Sequence, residues 1–510
     1  MNRASPTSRR RRCHRFRRLR TTHPRAHRCR WHNRNQSNRI DLSSSRLMST
    51  IMQAETFRRE MPSPLAAHPL NLPVAFGTTL SNGLGLVLVE DRRLPLISFR
   101  LAFRSGDAND PENLPGLSDM MSHLLSEGTE TRTSRKIAEE IERLGATLSV
   151  GSTSDFSTVA ASSLSIYAAE VLELLADVTL RSTFPQNEVD LARENTKQLL
   201  IQQRAQPNFL ASERMAGVIF GTHPYSSISP TEEMLDALTR DDLLSFRVST
   251  FIPNSAELVV IGDFQHDDLM GRIDELFAGW DRGDASPVPS PALPKRTERT
   301  IYLVDRPGSA QSNIVIANEA ITRTSPDYFP MLLMHTILGS NASSRLFMNL
   351  REHKGYTYGA YSNLDARRLA GTFRATAEVR TAVTGASLQE FFYELDRIRN
   401  DAVSNEEITN AQSYLSGVFP IRIETQDGLI DQIVNIKMLD LPDDYLRTYR
   451  DQVNAVTTAD IQAVAQKYVT PDKAAIVIVG DAAEVTDQVK PYSDNIEIYD
   501  TEGNPKDSVG

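Results

Sequence analysis

Cysteine is almost missing from this sequence of 510 residues, and both copies, Cys13 and Cys29, lie near its start. Beyond them the chain can form no internal disulfide, and it has no thiolate nucleophile and no zinc site made of thiolates. Long apolar runs are missing as well. No stretch approaches the roughly 18 to 20 residues that a membrane helix needs, so no membrane span is expected. Acidic side chains are scarce only at the start: residues 1–47 hold fifteen Arg, no Lys and one acid, Asp41. The remainder keeps 41 of the 56 basic residues and 64 of the 65 acidic ones, a net charge of −23. Such a body lacks the basic face that phosphates require, which argues against nucleic acid as a partner and favours basic or unfolded peptides. There is also no phosphate-binding Gly loop and no Ser in a nucleophile-elbow context.

The Arg-rich start, residues 1–52, is expected to be a disordered leader outside the fold. It is acid-poor like an organellar transit peptide, yet it lacks an amphipathic apolar stripe and a signal-peptide core. The preferred reading is an extension ahead of a true start near Met48 or Met52. The body reads as soluble, and cytoplasmic if translation begins there, with a periplasmic or organellar compartment left open.

What the chain does contain is an internal repeat, sought before any motif. Residues 238–263 (LTRDDLLSFRVSTFIPNSAELVVIGD) align without a gap to residues 456–481 (VTTADIQAVAQKYVTPDKAAIVIVGD), an offset of 218 residues. Thr239 pairs with Thr457, Asp242 with Asp460, Pro253 with Pro471, Gly262 with Gly480 and Asp263 with Asp481. Each copy opens on a Thr suited to cap a helix, breaks at Pro and ends in a β-branched run closed by Gly-Asp, so it predicts helix, turn, strand.

Between the copies, residues 286–295 (SPVPSPALPK) favour an extended connection. The expected domains are therefore residues 69–283 and 297–484, joined by a linker at 284–296 and followed by a tail at 485–510, whose polar part after Pro491 is expected to be loosely held. Alternating patterns predict strands at 83–93, 96–103, 146–152, 158–165, 301–304 and 312–317. Helical spacing predicts helices at 114–125, 134–144, 168–180, 188–200, 328–338 and 343–351. Hairpin-like strand pairs interspersed with helices give an α+β class with mainly antiparallel sheets.

Chemistry is sought first in residues 116–129, GLSDMMSHLLSEGT, on a helix expected to end near Gly128. Asp119 and His123 stand four apart and share a face, with Ser122 nearly beside them. This string resembles the metal helix of the M16 zinc peptidases, the pitrilysin and mitochondrial-processing-peptidase type. Their pattern is His-x-x-Glu-His, in which two imidazoles hold Zn²⁺ and the Glu acts as base on its water. Here the positions read Asp119, Ser122 and His123. The family's remaining ligand, a Glu 76 residues beyond the second His, falls on Leu199. The resemblance thus implies a degenerate site with no metal bound by this chain. Glu127 and Glu194 are the nearest substitutes to consider, and the plain alternative for His123 is a packed or hydrogen-bonded helix residue.

Two further segments carry the resemblance, FGTHPY at 220–225 and GSNASSRLFMNLREHKGYTYGAY at 339–361. The second is similar to the family sequence in which an Arg and a Tyr seven residues later face the zinc site. These fall on Arg351 and Tyr358, and the resemblance gives them substrate binding and transition-state support. The plain alternative is a surface ion pair of Arg351 with Glu352 and a Tyr358 packed on its strand. Taken over residues 70–485, the resemblance implies two homologous domains of the M16 type (LuxS-like and mitochondrial-processing-peptidase-like), forming half of a clamshell.

The function it implies is a non-catalytic, complementing subunit of a heterodimeric zinc endopeptidase. The partner would carry zinc on an intact His-x-x-Glu-His helix, and peptide would be the substrate. The alternative is a purely structural or binding protein of the same fold, similar to respiratory-complex core subunits. An independently active metallopeptidase is the third and least favoured reading.

Overall fold

The computed structural model describes residues 69–506, so the expected leader and the last four residues lie outside it. Chain order in the first half begins with strands β1 (Ala75–Thr79), β2 (Gly85–Glu90) and β3 (Leu96–Phe103). Helices α1 (Leu117–Leu124) and α2 (Ser134–Leu144) precede β4 (Thr147–Ser152) and β5 (Ser157–Leu164). Then come α3 (Ala168–Leu180), α4 (Gln186–Arg204), α5 (Pro207–Phe220), α6 (Glu232–Ala237) and α7 (Arg240–Thr250). The half closes with β6 (Ala256–Gly262) and α8 (His266–Phe277).

The second half repeats this order. It runs β7 (Thr300–Asp305), β8 (Gln311–Glu319), α9 (Tyr328–Gly339) and α10 (Arg345–Phe347), the last continued by a π turn at Met348–His353. Strands β9 (Thr357–Ala366) and β10 (Gly371–Arg380) lead into α11 (Thr384–Asn400), α12 (Asn405–Arg422) and α13 (Gln426–Met438). Helices α14 (Tyr445–Ala455) and α15 (Thr458–Tyr468) are followed by β11 (Ala475–Gly480), α16 (Ala482–Val489), β12 (Asn495–Tyr499) and β13 (Pro505–Lys506).

The first sheet has the order β1-β2-β6-β3-β5-β4, the second β13-β12-β7-β11-β8-β10-β9. Five strands of each follow the same permutation, β2-β6-β3-β5-β4 against β7-β11-β8-β10-β9. Only β2 with β6, β7 with β11 and β7 with β12 pair in parallel. The α+β class with mainly antiparallel sheets is what the structure shows.

The repeat is visible in atomic detail. Thr239 caps α7 in a box with Asp242, and Thr457 caps α15 in the same box with Asp460. Each box satisfies N–H groups left open at a helix start, which is why the sequence folds there into a helix and not one residue earlier. The closing glycines serve close packing: a Cβ on Gly262 would lie 2.3 Å from the Leu96 carbonyl oxygen, and one on Gly480 would lie 2.8 Å from Ser312 Oγ.

One face of each sheet packs under helices of its own half, with Phe99, Leu101, Leu172 and Leu258 among the fully buried residues of the first. The other face is covered by exchange. Helix α5, from the first half, lies on β8 and β11, with Leu210, Met215 and Ile219 packed against Val315, Val477 and Val479. Helix α13, its counterpart in the repeat, lies on β3 and β6 and brings Leu429, Ile430 and Ile433 to the core that holds Val87, Val259 and Ile261. The described residues, 69–506, accordingly lie within one compact unit.

Two expectations are corrected. The stretch after Pro491 is not loosely held over its described residues: β12 adds to β7 in parallel from Asn495 to Tyr499, and β13 pairs with β12. Its alternating Ile496 and Ile498 give it a face that packs on the core, and the polar residues around them hide that face from composition. Helix α1 also ends at Leu124, a turn before Gly128. The connection at 284–296 contains no helix or strand.

Candidate functional site

Helix α1 starts at Gly116, whose φ of 91° is left-handed, and the Asp110 carboxylate accepts from the N–H groups of Gly116 (2.7 Å) and Ser118 (2.9 Å). The helix packs beside β4, the terminal strand of its sheet, where Ser118 Oγ and Ser152 Oγ share a hydrogen bond of 2.8 Å. Helix α4 packs against it as well. The helix thus flanks the open edge of its sheet.

Asp119 and His123 both reach solvent from α1, so the structure does bring them to one accessible face. The Asp119 carboxyl is held above the usual carboxylate range, mainly because the protein around it displaces water, with the His123 charge opposing. Ser122 is 4% exposed and its hydroxyl has no hydrogen-bond partner. Leu199 presents hydrocarbon to solvent at 49% exposure.

Of the two substitutes considered, Glu127 accepts a short hydrogen bond from Ser134, and Glu194 is exposed 3.7 Å from Lys197. Among the described residues no group of three His, Cys, Asp or Glu side chains is placed to hold a metal ion. A zinc ion does not fit the residues present: Asp119 and His123 are compatible ligand types, but the third ligand position carries the alkyl chain of Leu199, and the base position carries the hydroxyl of Ser122.

Behind Asp119 lies an acid pair that the sequence reading does not single out. Burial raises the Asp107 carboxyl to about 7, helped by the Asp119 charge, and raises Asp110 to about 8, helped by Asp107. Their signal in the sequence is the run Asp107, Asp110 ahead of the glycine that starts α1.

The FGTHPY segment has a different task. His223 is 1% exposed, and its Nδ1 accepts from the Tyr225 N–H at 3.1 Å. Burial lowers its pKa, with the Arg367 charge acting the same way. The Tyr225 hydroxyl donates to Asp155 and accepts from the Leu369 N–H (3.2 Å), while Asp155 also accepts from the Arg368 N–H (2.9 Å). These bonds tie the β4–β5 turn of the first half to the β9–β10 turn of the second.

In the second half, Arg351 projects from the π turn with its side chain 45% exposed. It lies 3.4 Å from Glu352 and 4.8 Å from the Phe347 ring centroid. The expected surface pair with Glu352 is therefore present. Tyr358 stands on β9 at 88% exposure, so it is not strand packing. Strand β9 ends the second sheet as β4 ends the first. Arg351 and Tyr358 thus occupy neighbouring elements at one sheet edge, and Asp119 and His123 occupy the equivalent edge of the other sheet.

A duplicated α+β scaffold of antiparallel-rich sheets carries Asp119 and His123 beside one terminal strand and an exposed Arg and Tyr beside the other. The family model described as "Insulinase (Peptidase family M16)" matches residues 86–227, and the one described as "Peptidase M16 inactive domain" matches residues 237–415. The chain belongs to peptidase family M16.

A protein of Bacillus subtilis named "Uncharacterized zinc protease YmxG" is 21% identical over 405 residues, covering 78% of this chain and 97% of that protein. A Helicobacter pylori protein named "Non-peptidase homolog YmxG" is 21% identical over 379 residues, covering 74% of this chain and 87% of its own. Among solved structures, a peptidase M16 inactive domain from Pseudomonas fluorescens superposes with a TM-score of 0.75 at 24% identity, covering 80% of this chain and 98% of that one. Relatives bearing both kinds of name share the scaffold. Among the described residues no helix is long and apolar enough to cross a membrane.

Proposed function

We propose that this chain is the non-catalytic, substrate-binding subunit of a heterodimeric M16 zinc endopeptidase that acts on peptides or unfolded segments. The partner subunit carries the zinc on an intact His-x-x-Glu-His helix, and this chain contributes Arg351 and Tyr358. The observation that carries the reading is the unequal state of the two sheet edges. The β4 edge offers Ser122 where a base is needed and exposed Leu199 where a ligand is needed, while the β9 edge keeps Arg351 and Tyr358 accessible.

Loss of a general base alone removes about 10²- to 10⁴-fold of rate, so peptide hydrolysis is not expected of the chain by itself. Arg351 and Tyr358 suit a supporting role. A guanidinium is a permanent multi-donor cation, and a phenol is a directional donor. Both can meet a peptide carbonyl and the negative charge that builds on it during attack. The acidic body is compatible with basic peptide segments.

The alternative, a structural or binding protein with no part in proteolysis, draws on the Arg351–Glu352 pair. That pair is exposed on both sides at 3.4 Å, a setting in which ion pairs contribute about 0–1 kcal/mol, so it holds Arg351 weakly. The test is to mix the purified chain with a zinc-bearing M16 subunit and follow peptide cleavage. Acceleration over that subunit alone is expected, and Arg351→Ala should remove about 10²- to 10³-fold of turnover, the scale of one lost transition-state donor. A mixture no faster than the zinc-bearing subunit alone would refute the reading and leave the structural role.

A further inference from the structure

The segment that carries Arg351 is not a plain helix. After α10 the backbone widens into the π turn, where the Lys354 N–H donates to the Asn349 carbonyl (3.0 Å) and the Tyr356 N–H to the Leu350 carbonyl (3.0 Å). Successive residues of an α-helix are about 100° apart around the axis, so an inserted residue re-aims every side chain near it. Such turns are rare, occur mostly as single insertions, and are frequent at functional sites. Something must hold this one open.

Three side chains do so. Arg345, 6% exposed, forks onto Glu407 through Nε (2.7 Å) and Nη2 (3.0 Å) just before the turn. Within it, Asn349 is 7% exposed and donates from its amide nitrogen to Glu394 Oε1 (2.9 Å) and Glu390 Oε2 (3.1 Å), both on α11. Just after it, Lys354 Nζ lies 2.7 Å from Glu390, and Arg397 lies 3.4 Å from the buried Glu394. The network is charge-compensated and buried at Arg345, Asn349 and Glu394. Arg351 takes no part in it.

We infer that Asn349, bridging Glu390 and Glu394, is a positioning residue that aims Arg351 by holding the π turn. The inference rests on the role proposed above for Arg351. The residue type fits the task, because a carboxamide supplies two N–H groups to two carboxylates. An Asp would set a third negative charge against them, and an apolar residue would leave buried Glu394 short of a donor.

Two measurements test it. In hydrogen exchange on the isolated chain, Asn349→Ala should strip protection from the Lys354 and Tyr356 amides while Val477 and Ile478 in the core strand keep theirs. Unchanged protection at Lys354 and Tyr356 overturns the inference. In the cleavage mixture, Asn349→Ala should lower turnover on the order of ten- to a hundredfold, the scale of a misaimed group. The Asn349→Ala/Arg351→Ala pair should be no slower than Arg351→Ala alone, because one residue acts through the other. Additive losses overturn it. An Arg351→Ala variant with no effect sinks the functional reading instead, and the exchange measurement still judges the positioning. Should Asn349→Ala fail to fold, Lys354→Ala, whose side chain is 41% exposed, should give the same selective loss of protection. No loss there overturns the inference equally.

Discussion

In the first half, α1 flanks the edge strand β4 and presents Asp119 and His123 to solvent; in the second, its counterpart α9 flanks β9 and turns His335 inward. His335 Nδ1 meets Ser362 Oγ at 3.0 Å, and burial lowers its pKa to about 4, so the ring is neutral near pH 7. The same helix beside the same edge thus carries exposed ionisable groups in one half, and in the other a partly buried imidazole that lines a cavity with Arg323, Ser362 and Asp365. Fully accessible functional groups of the second half stand instead on the π turn and on β9. The scaffold fixes where the helix meets the sheet edge, and individual side chains decide what chemistry each half offers there.

That contrast can be broken most sharply by rebuilding a metal site on α1. The variant Asp119→His/Ser122→Glu/Leu199→Glu, with His123 kept, is expected to bind about one zinc per chain by metal analysis after dialysis, against none for the parent. Failure to bind would mean that the α1–α4 spacing no longer suits a metal, and that the two edges differ in backbone as well as side chains. Of intermediate size is a test of the exchanged helices. Ile430→Ala on α13 and Met215→Ala on α5 each remove a fully buried side chain and should cost about 2–5 kcal/mol. Each should lower a single unfolding transition seen by denaturant titration. Two separated transitions would show halves that fold independently. The smallest effect concerns the repeat itself: Thr239→Ala and Thr457→Ala should each cost about 1 kcal/mol, and a clear inequality would show that the matched caps are not energetically equivalent.

Much of the fold could be read from residue patterns. Strand 96–103 and helices 134–144 and 168–180 have the bounds their periodicity predicts, because each buries one consistent face. The capping boxes at Thr239 and Thr457 follow from local hydrogen bonding, which sequence spacing specifies directly. Partner choice is less visible. Helices α5 and α13 are apolar on the side they bury, but nothing in that side tells which sheet it will meet. Strand β12 escaped notice because only Ile496, Ile498 and their neighbours in β7 reveal it. At the site, Asp119, Ser122 and Leu199 stand at the positions the M16 resemblance singles out, and the functional group at each is given by residue identity alone. The direction of Arg351 could not, since it depends on a widened turn held by Glu390 and Glu394, some forty residues further along the chain.

The reciprocal placement of α5 and α13 works as a mutual clasp. Each half supplies a lid that the other cannot do without, so residues that keep the chain folded are spread across both sheets and far from either edge. Ser122 and Leu199 lie outside the clasp, so the architecture does not depend on which side chains those positions carry.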